Sequence, residues 1–109
     1  MIEYILVFVT AASFEEAEQL GKALVEKRLA ACANIVQHIQ SVFWWKDTIE
    51  TEQEALLMLK SQASLFPSIR KTVTELHSYD VPEIIAIPIL AGSEDYLKWI
   101  KDETSRNPA

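Results

Sequence analysis

Two residue types are scarce in this sequence, and each scarcity excludes a class of site. Its 109 residues include two glycines, Gly21 and Gly92, so the chain holds neither a Walker A loop nor a GxGxxG dinucleotide fingerprint. The one cysteine, Cys32, cannot form a disulfide within the chain, which indicates a reducing, cytoplasmic compartment. No basic segment accompanies the apolar N-terminal run, so we expect no signal peptide.

Basic residues are also in the minority. Ten Lys and Arg against sixteen Asp and Glu give a net charge of −6, whereas nucleic acids and anionic membranes require a basic surface. No apolar run approaches the roughly 20 residues of a membrane span. The length and the 50% hydrophobic content predict one globular domain over residues 1–109 with its own core.

Hydrophobic periodicity along the chain switches between the strand and the helix patterns. Ser13 followed by Glu16 forms a capping box at the start of the first helix, and Pro88 favours an edge position for the last strand. The predicted elements are a strand over 2–10, a helix from Ser13 to about Ala31 or Cys32, a long β-hairpin over 34–60, a helix over 64–77, a strand over 83–90 and a short C-terminal helix capped by Ser93.

This order is βαββαβ followed by one helix, which predicts an α+β fold of the ferredoxin-like type. In that plan two helices cover one face of a four-stranded antiparallel sheet, and the second and fourth strands lie at its edges. The other face and the long hairpin then expose apolar side chains that lack a partner within the chain. Such surfaces usually mark association, so we expect an oligomer.

Few residues stand out as chemically active, and each has a structural alternative. Cys32 is placed at the end of a helix, where the dipole disfavours a thiolate, which favours a packing role. His77, Asp80 and Glu83 lie in one short loop and could hold a divalent metal ion, or they could cap the helix and form a turn. No catalytic triad or phosphate loop is evident from spacing. We therefore expect no enzymatic activity.

The aromatic hairpin and two cations form the other candidates. Trp44 and Trp45 follow Phe43, and neighbouring strand residues point to opposite faces, so one ring can pack while the other meets a partner or a ligand. Lys60 and Arg28 could hold an anion, or they could be solvated charges.

Five stretches together resemble the CutA divalent-cation tolerance family. They occur in the family's order over about residues 4–101, and they are KRLAACAN (27–34), SVFWWK (41–46), KS (60–61), HSYDVPEI (77–84) and YLKWI (96–100). The resemblance implies a ferredoxin-like fold, a cytoplasmic homotrimer similar in plan to the PII signalling proteins, and weak association with copper and other divalent cations. No cofactor is required.

The resemblance also assigns residues to sites. The family's inter-subunit cleft corresponds here to Trp45, Lys60, His77, Tyr79 and Glu83. Copper ligands proposed in some members are a cysteine and two adjacent histidines. The matching positions are Val9, Leu76 and His77, so His77 alone is kept and we expect any metal binding to be weak and to depend on it. Other departures from the family pattern are Phe43, Asp47, Ser61 and Ser78.

Three functional hypotheses remain open at this point. The first is a trimeric cation-tolerance protein without a reaction. The second is a PII-like sensor that binds a small anion between subunits, with Lys60 and Arg28 supplying charge and Trp45 or Tyr79 stacking on the ligand. The third is an enzyme that uses Cys32 or His77.

Overall fold

Four strands form a single antiparallel sheet in a computed structural model that describes residues 2–106. The elements are β1 (Tyr4–Ala11), α1 (Phe14–Glu26), β2 (Cys32–Trp45), β3 (Thr48–Gln62), a 3-10 turn (Ala63–Leu65), α2 (Phe66–Leu76), β4 (Ile84–Pro88) and α3 (Glu94–Ser105). The strand order is β2-β3-β1-β4. This is the predicted ferredoxin-like fold, with β2 and β4 at the edges and Pro88 on an edge strand.

The core lies between the sheet and the helices α1 and α2. Alternate residues of β1 and β3 are buried, as period-2 patterning requires, and they pack with the apolar stripes of both helices. The Ser13 Oγ accepts the Glu16 N–H at 3.1 Å and so starts α1, and Pro67 lies in the first turn of α2. The central core residues are Val7, Val9, Leu20, Leu24, Leu57, Leu59, Ile69 and Val73.

The opposite face of the sheet carries α3 at one end. Lys60 and Gln62 flank the buried Ser61 on β3 and therefore point away from the core. The Gln62 Nε2 donates to Thr104 Oγ1 at 2.8 Å, and the Lys60 Nζ lies 5.9 Å from the Tyr96 ring centre, so α3 packs on this second face. None of the helices between residues 2 and 106 is long and apolar enough to span a bilayer.

The end of α1 was predicted at Ala31 or Cys32, and that prediction is wrong. The helix ends at Glu26 because Arg28 takes a left-handed conformation with φ of 62°. The Arg28 N–H then reaches Val25 O at 3.0 Å and the Leu29 N–H reaches Leu24 O at 2.9 Å, which is a Schellman termination usually made by glycine. Cys32 is consequently the first residue of β2 and not a helix terminus.

The predicted hairpin is confirmed, and it is longer than predicted. β2 and β3 pair from Cys32–Lys60 to Trp45–Thr48, with one register shift between Val36 and Ile39. Lys46 and Asp47 form the connecting turn with φ of 50° and 66°, the pair of positive values that a type I′ turn needs. β1 pairs with β3 only as far as Ala55, so residues 39–54 extend past the end of β1.

Candidate functional site

A cleft of about 780 Å³ opens where the hairpin extends past β1. One wall is the hairpin, and the other is the loop that connects α2 to β4, with Thr10 and Ala12 between them. Phe43, Trp45, Glu50, Glu52 and Glu54 line the first wall, and Tyr79, Val81 and Glu83 line the second. The structure therefore brings together three residues predicted for the cleft, namely Trp45, Tyr79 and Glu83.

Three of the cleft carboxylates form a ladder on β3. Glu50, Glu52 and Glu54 occupy alternate positions of a regularly paired strand, so their side chains share one face. Glu83 adds a fourth carboxylate from the opposite wall. No ion pair within residues 2–106 involves any of these four groups. Among the residues that the structure describes, the cleft therefore concentrates negative charge without an ion-paired cation.

Glu54 is the most enclosed of these carboxylates. It is 8% exposed, and its Oε2 accepts the Tyr79 phenol O–H at 2.7 Å. Burial and the Glu54 carboxylate together raise the pKa of Tyr79 well above its ordinary value of 10.0. Tyr79 is therefore a neutral phenol that fixes one oxygen of Glu54 across the cleft.

His77 lies directly behind Tyr79. Its ring centre is 4.6 Å from the Tyr79 ring centre, and its side chain has no exposed area. The ring Nε2 lies 2.7 Å from Thr10 O, and the ring Nδ1 accepts the Tyr79 N–H at 3.0 Å. Both ring nitrogens are thus engaged, and a metal ion reaches the ring only after one of these hydrogen bonds opens.

Glu16 joins the start of α1 to the same loop. Its Oε1 accepts the Ala12 N–H at 2.9 Å, and its Oε2 accepts the Ser78 N–H at 2.8 Å. Burial alone raises the pKa of Glu16, but these hydrogen bonds outweigh it and lower the pKa below its ordinary value of 4.5. The predicted capping box is therefore present with an altered second half, because the Glu16 carboxylate receives the N–H of Ala12 instead of that of Ser13.

The two cations proposed for an anion lie away from this cleft. The Lys60 Nζ donates to Asn34 Oδ1 at 2.8 Å, and the Arg28 Nη1 donates to Glu103 Oε1 at 2.8 Å. Neither residue lines the cleft. Within one chain, then, the predicted cleft residue Lys60 is separated from Trp45, Tyr79 and Glu83.

The donors present do not form a preassembled metal site. Within residues 2–106, no group of three or more His, Cys, Asp or Glu side chains is arranged to hold a metal ion. Asp80, predicted beside His77 and Glu83, is exposed. The Cys32 Sγ lies 3.5 Å from Asn34 Oδ1 on another part of the sheet. A tightly bound resident metal does not fit these residues as they are placed.

The sequence reasoning missed the glutamate ladder. The signal was present as ETEQE over residues 50–54, in which a carboxylate recurs at every second position. Such a pattern places like charges on one strand face, where they repel unless a cation or a partner compensates them. The hairpin over 34–60 was predicted from its apolar residues, and this acidic segment carries no apolar alternation that would assign it to a site.

Comparison with known sequences gives a family for the chain. Residues 5–103 match the family model described as "CutA1 divalent ion tolerance protein". The "Divalent-cation tolerance protein CutA" of Thermus thermophilus is 43% identical over 99 residues, covering 91% of this chain and 96% of that protein. "Protein CutA" of Homo sapiens is 42% identical over 97 residues, covering 89% of this chain and 54% of that protein. The chain thus spans about half the length of the human relative.

Solved structures agree with the sequence comparisons. The structure of CutA1 from Oryza sativa has a TM-score of 0.91 at 40% identity and covers 94% of each chain. The periplasmic divalent cation tolerance protein CutA from Archaeoglobus fulgidus has a TM-score of 0.90 at 42% identity, covering 93% of this chain and 98% of that one. A family model that spans most of the sequence, together with these relatives, shows that the chain belongs to the CutA1 divalent ion tolerance family.

Proposed function

We propose that this chain is a cytoplasmic, homotrimeric divalent-cation tolerance protein that binds divalent cations, copper among them, weakly and without catalysing a reaction. The observation that supports it most is the cleft, which is lined by three glutamates of β3 and by Glu83 of the opposite wall, none with an ion-pair partner among residues 2–106. Family membership supports divalent cations as the ligands, since the relatives are named for tolerance of divalent cations.

Weak binding follows from the placement of the donors. Carboxylate oxygens are the preferred ligands of hard divalent cations, whereas copper prefers imidazole or thiolate ligands. Because the described residues offer no closed set of three ligands, a cation in the cleft keeps much of its water. Binding is then electrostatic in large part and sensitive to salt, as expected between partly exposed charges.

The trimer is supported by apolar surface that the single chain leaves open. Trp44 is 71% exposed near the tip of the hairpin. The second face of the sheet and the β4–α3 connection add further exposed apolar residues, namely Val36, Ile85, Ile87 and Leu90. Large apolar side chains left open on a sheet face are typical of a protein interface, and a hairpin with an unpaired edge can extend a neighbour's sheet.

Isothermal titration calorimetry with Cu²⁺ and Zn²⁺ at neutral pH tests the cation proposal. We expect a Kd weaker than about 1 µM, weakened further in Glu52→Gln and Glu83→Gln. Glu75→Gln is the matched control, since Glu75 is an exposed carboxylate on α2 outside the cleft, and it should leave the affinity unchanged. A submicromolar stoichiometric site that is indifferent to the cleft variants and to His77→Ala would contradict the proposal.

A thermal-shift screen distinguishes the cation proposal from the anion-sensor hypothesis, because a ligand that binds only the native state raises the Tm. Metal ions, nucleotides and organic acids are compared at equal concentration. Shifts produced by metal ions and abolished by Glu52→Gln support the proposal. Shifts produced only by anions, and abolished by Lys60→Ala, would replace it with the sensor hypothesis.

A further inference from the structure

The hydrogen bonds of His77 fix the protonation of its ring. A backbone carbonyl can only accept, so the Nε2 that lies 2.7 Å from Thr10 O carries the proton. A backbone N–H can only donate, so the Nδ1 that faces the Tyr79 N–H at 3.0 Å carries the lone pair. The ring is therefore the neutral Nε2–H tautomer, and its one lone pair is already used.

The same two bonds connect His77 to both sides of the cleft. Thr10 lies at the end of β1 and lines the cleft beside the hairpin, whereas Tyr79 belongs to the opposite loop. The Tyr79 phenol in turn donates to Glu54, which is nine-tenths buried. The charged group nearest the ring is Glu16, whose Oε2 is 3.9 Å from Nδ1 and already accepts the Ser78 N–H.

We propose that His77 is a positioning residue that holds Tyr79 against Glu54, and that it does not bind the metal ion itself. The inference deepens the proposed function, because the cleft that His77 orders is the one assigned to the cation. It reverses the expectation carried by the family resemblance, in which this histidine is a ligand. A loss of metal binding in His77→Ala then reflects a disordered Tyr79 and Glu54, and not a missing ligand.

Two variants separate the two hydrogen bonds of the His77 ring. In His77→Asn, the amide oxygen can still accept the Tyr79 N–H two residues later, as in an Asx turn. In His77→Gln, the longer amide can still donate to Thr10 O, but the bond from the Tyr79 N–H is lost. A ligand role predicts that both variants and His77→Ala lose Zn²⁺ affinity by at least tenfold. The positioning role predicts that His77→Asn stays within about threefold of the wild type while His77→Ala does not.

Tyrosine ionisation gives a readout that is independent of metal. The chain has three tyrosines, and the buried hydrogen bond to Glu54 delays the ionisation of Tyr79. We expect the tyrosinate absorbance of His77→Asn to follow the wild type with rising pH, whereas in His77→Gln and His77→Ala one further tyrosine ionises at lower pH. Tyr79→Phe identifies that tyrosine. Identical titrations in all three His77 variants would overturn the positioning role.

The decisive experiment is a long-range ¹H–¹⁵N spectrum of the imidazole rings in the wild-type protein. The chain has two histidines, so comparison with His77→Gln assigns His77 against His38. We expect the neutral Nε2–H pattern for His77, unchanged by excess ZnCl₂. A zinc-induced change at either ring nitrogen, or an Nδ1–H pattern, would overturn the inference. If no zinc binds at all, the proposed function fails, and the tautomer and the tyrosine titration still decide the role of His77.

Discussion

The two halves of the β2–β3 hairpin have the same pairing and opposite surroundings. Near the core, residues 56–60 of β3 pair with β1 on one side and β2 on the other, and every second residue is buried. Beyond Ala55, residues 39–54 pair only with each other, and most of their side chains are exposed. Leu57 is fully buried, whereas Trp45 is 47% exposed.

The inner half of the hairpin stabilises the single chain, whereas the outer half carries the candidate functional residues. The inner half is stabilised by burial against α1 and α2, which the single chain supplies itself. The outer half carries the aromatic residues and the glutamate ladder, and it has no such cover within residues 2–106. An isolated two-stranded hairpin is marginally stable in water. We therefore expect the outer half to depend on neighbouring copies for its apolar side chains and on cations for its carboxylates.

The largest expected effect is on the outer half of the assembled protein. If the neighbouring copies cover Trp45, Trp45→Ala should remove about 3–5 kcal/mol of packing. The loss should appear as dissociation and as a Tm that depends on protein concentration, measured by light scattering and calorimetry in a dilution series. Lys60→Ala is the control and should leave the assembly intact, because an exposed hydrogen bond to Asn34 contributes little. An assembled and equally heat-stable Trp45→Ala would show that Trp45 is not in the interface.

The inner half should respond differently to truncation. Leu57→Ala removes a fully buried side chain from the core, so the free energy of unfolding should fall by about 2–5 kcal/mol. Because the lost packing lies inside each chain and not between chains, the oligomer mass under native conditions should stay the same. The midpoint of urea denaturation should fall. Dissociation of Leu57→Ala into folded monomers would erase the distinction between the two halves.

A smaller effect is expected at the junction that holds the cleft loop. Glu16→Gln exchanges a carboxylate that accepts two backbone N–H groups for an amide that can accept one well, so it should cost about 1–3 kcal/mol at pH 7. Since the pKa of Glu16 is lowered by folding, its contribution is present above pH 4.5 and is lost as the pH falls through the folded value. Urea unfolding at pH 7 and pH 3 should show the gap between wild type and variant shrinking at the lower pH.

Glu15→Gln is the matched control for this experiment. It removes the same charge from the same turn of α1 at an exposed position. A gap for Glu16→Gln that is no larger than that for Glu15→Gln, or one that grows on acidification, contradicts the role given to the Glu16 carboxylate.

The smallest effect is expected at the hairpin turn. Asp47 has a φ of 66°, a region that glycine enters without steric penalty. Asp47→Gly should therefore raise the unfolding free energy by about 0.5 kcal/mol. Thr48→Gly, at the first residue of β3, should lower it instead, because Thr48 pairs with Trp45 and glycine weakens a strand. Calorimetric Tm values that move in the same direction for both variants would rule out turn strain at Asp47.

Most of the fold followed from hydrophobic periodicity and helix signals. The element order, the edge strands and the Ser13 and Ser93 caps were predictable because each depends on neighbours in the sequence. The end of α1 was not, because no glycine marks it and Arg28 adopts the left-handed conformation in its place. Its ion pair with Glu103 on α3 is a contact between residues 75 positions apart, which local pattern cannot reveal.

The candidate site was predictable only in part. Trp45, Tyr79 and Glu83 came from the family resemblance, and they do lie around one cleft. The enclosure of the His77 ring and the hydrogen bond from its Nε2–H depend on Thr10, 67 residues away, so the tautomer of the ring could not be predicted from the sequence. The separation of Lys60 from the cleft likewise depends on the sheet register, which sets Lys60 opposite Cys32 and not beside the outer hairpin.

The mass of the native protein tests most directly the claim that the outer half of the hairpin is completed by other copies of the chain. Size-exclusion chromatography coupled to light scattering at micromolar concentration measures it without any variant. The account predicts three times the 12.4 kDa of one chain. A stable, folded species of 12.4 kDa would contradict it.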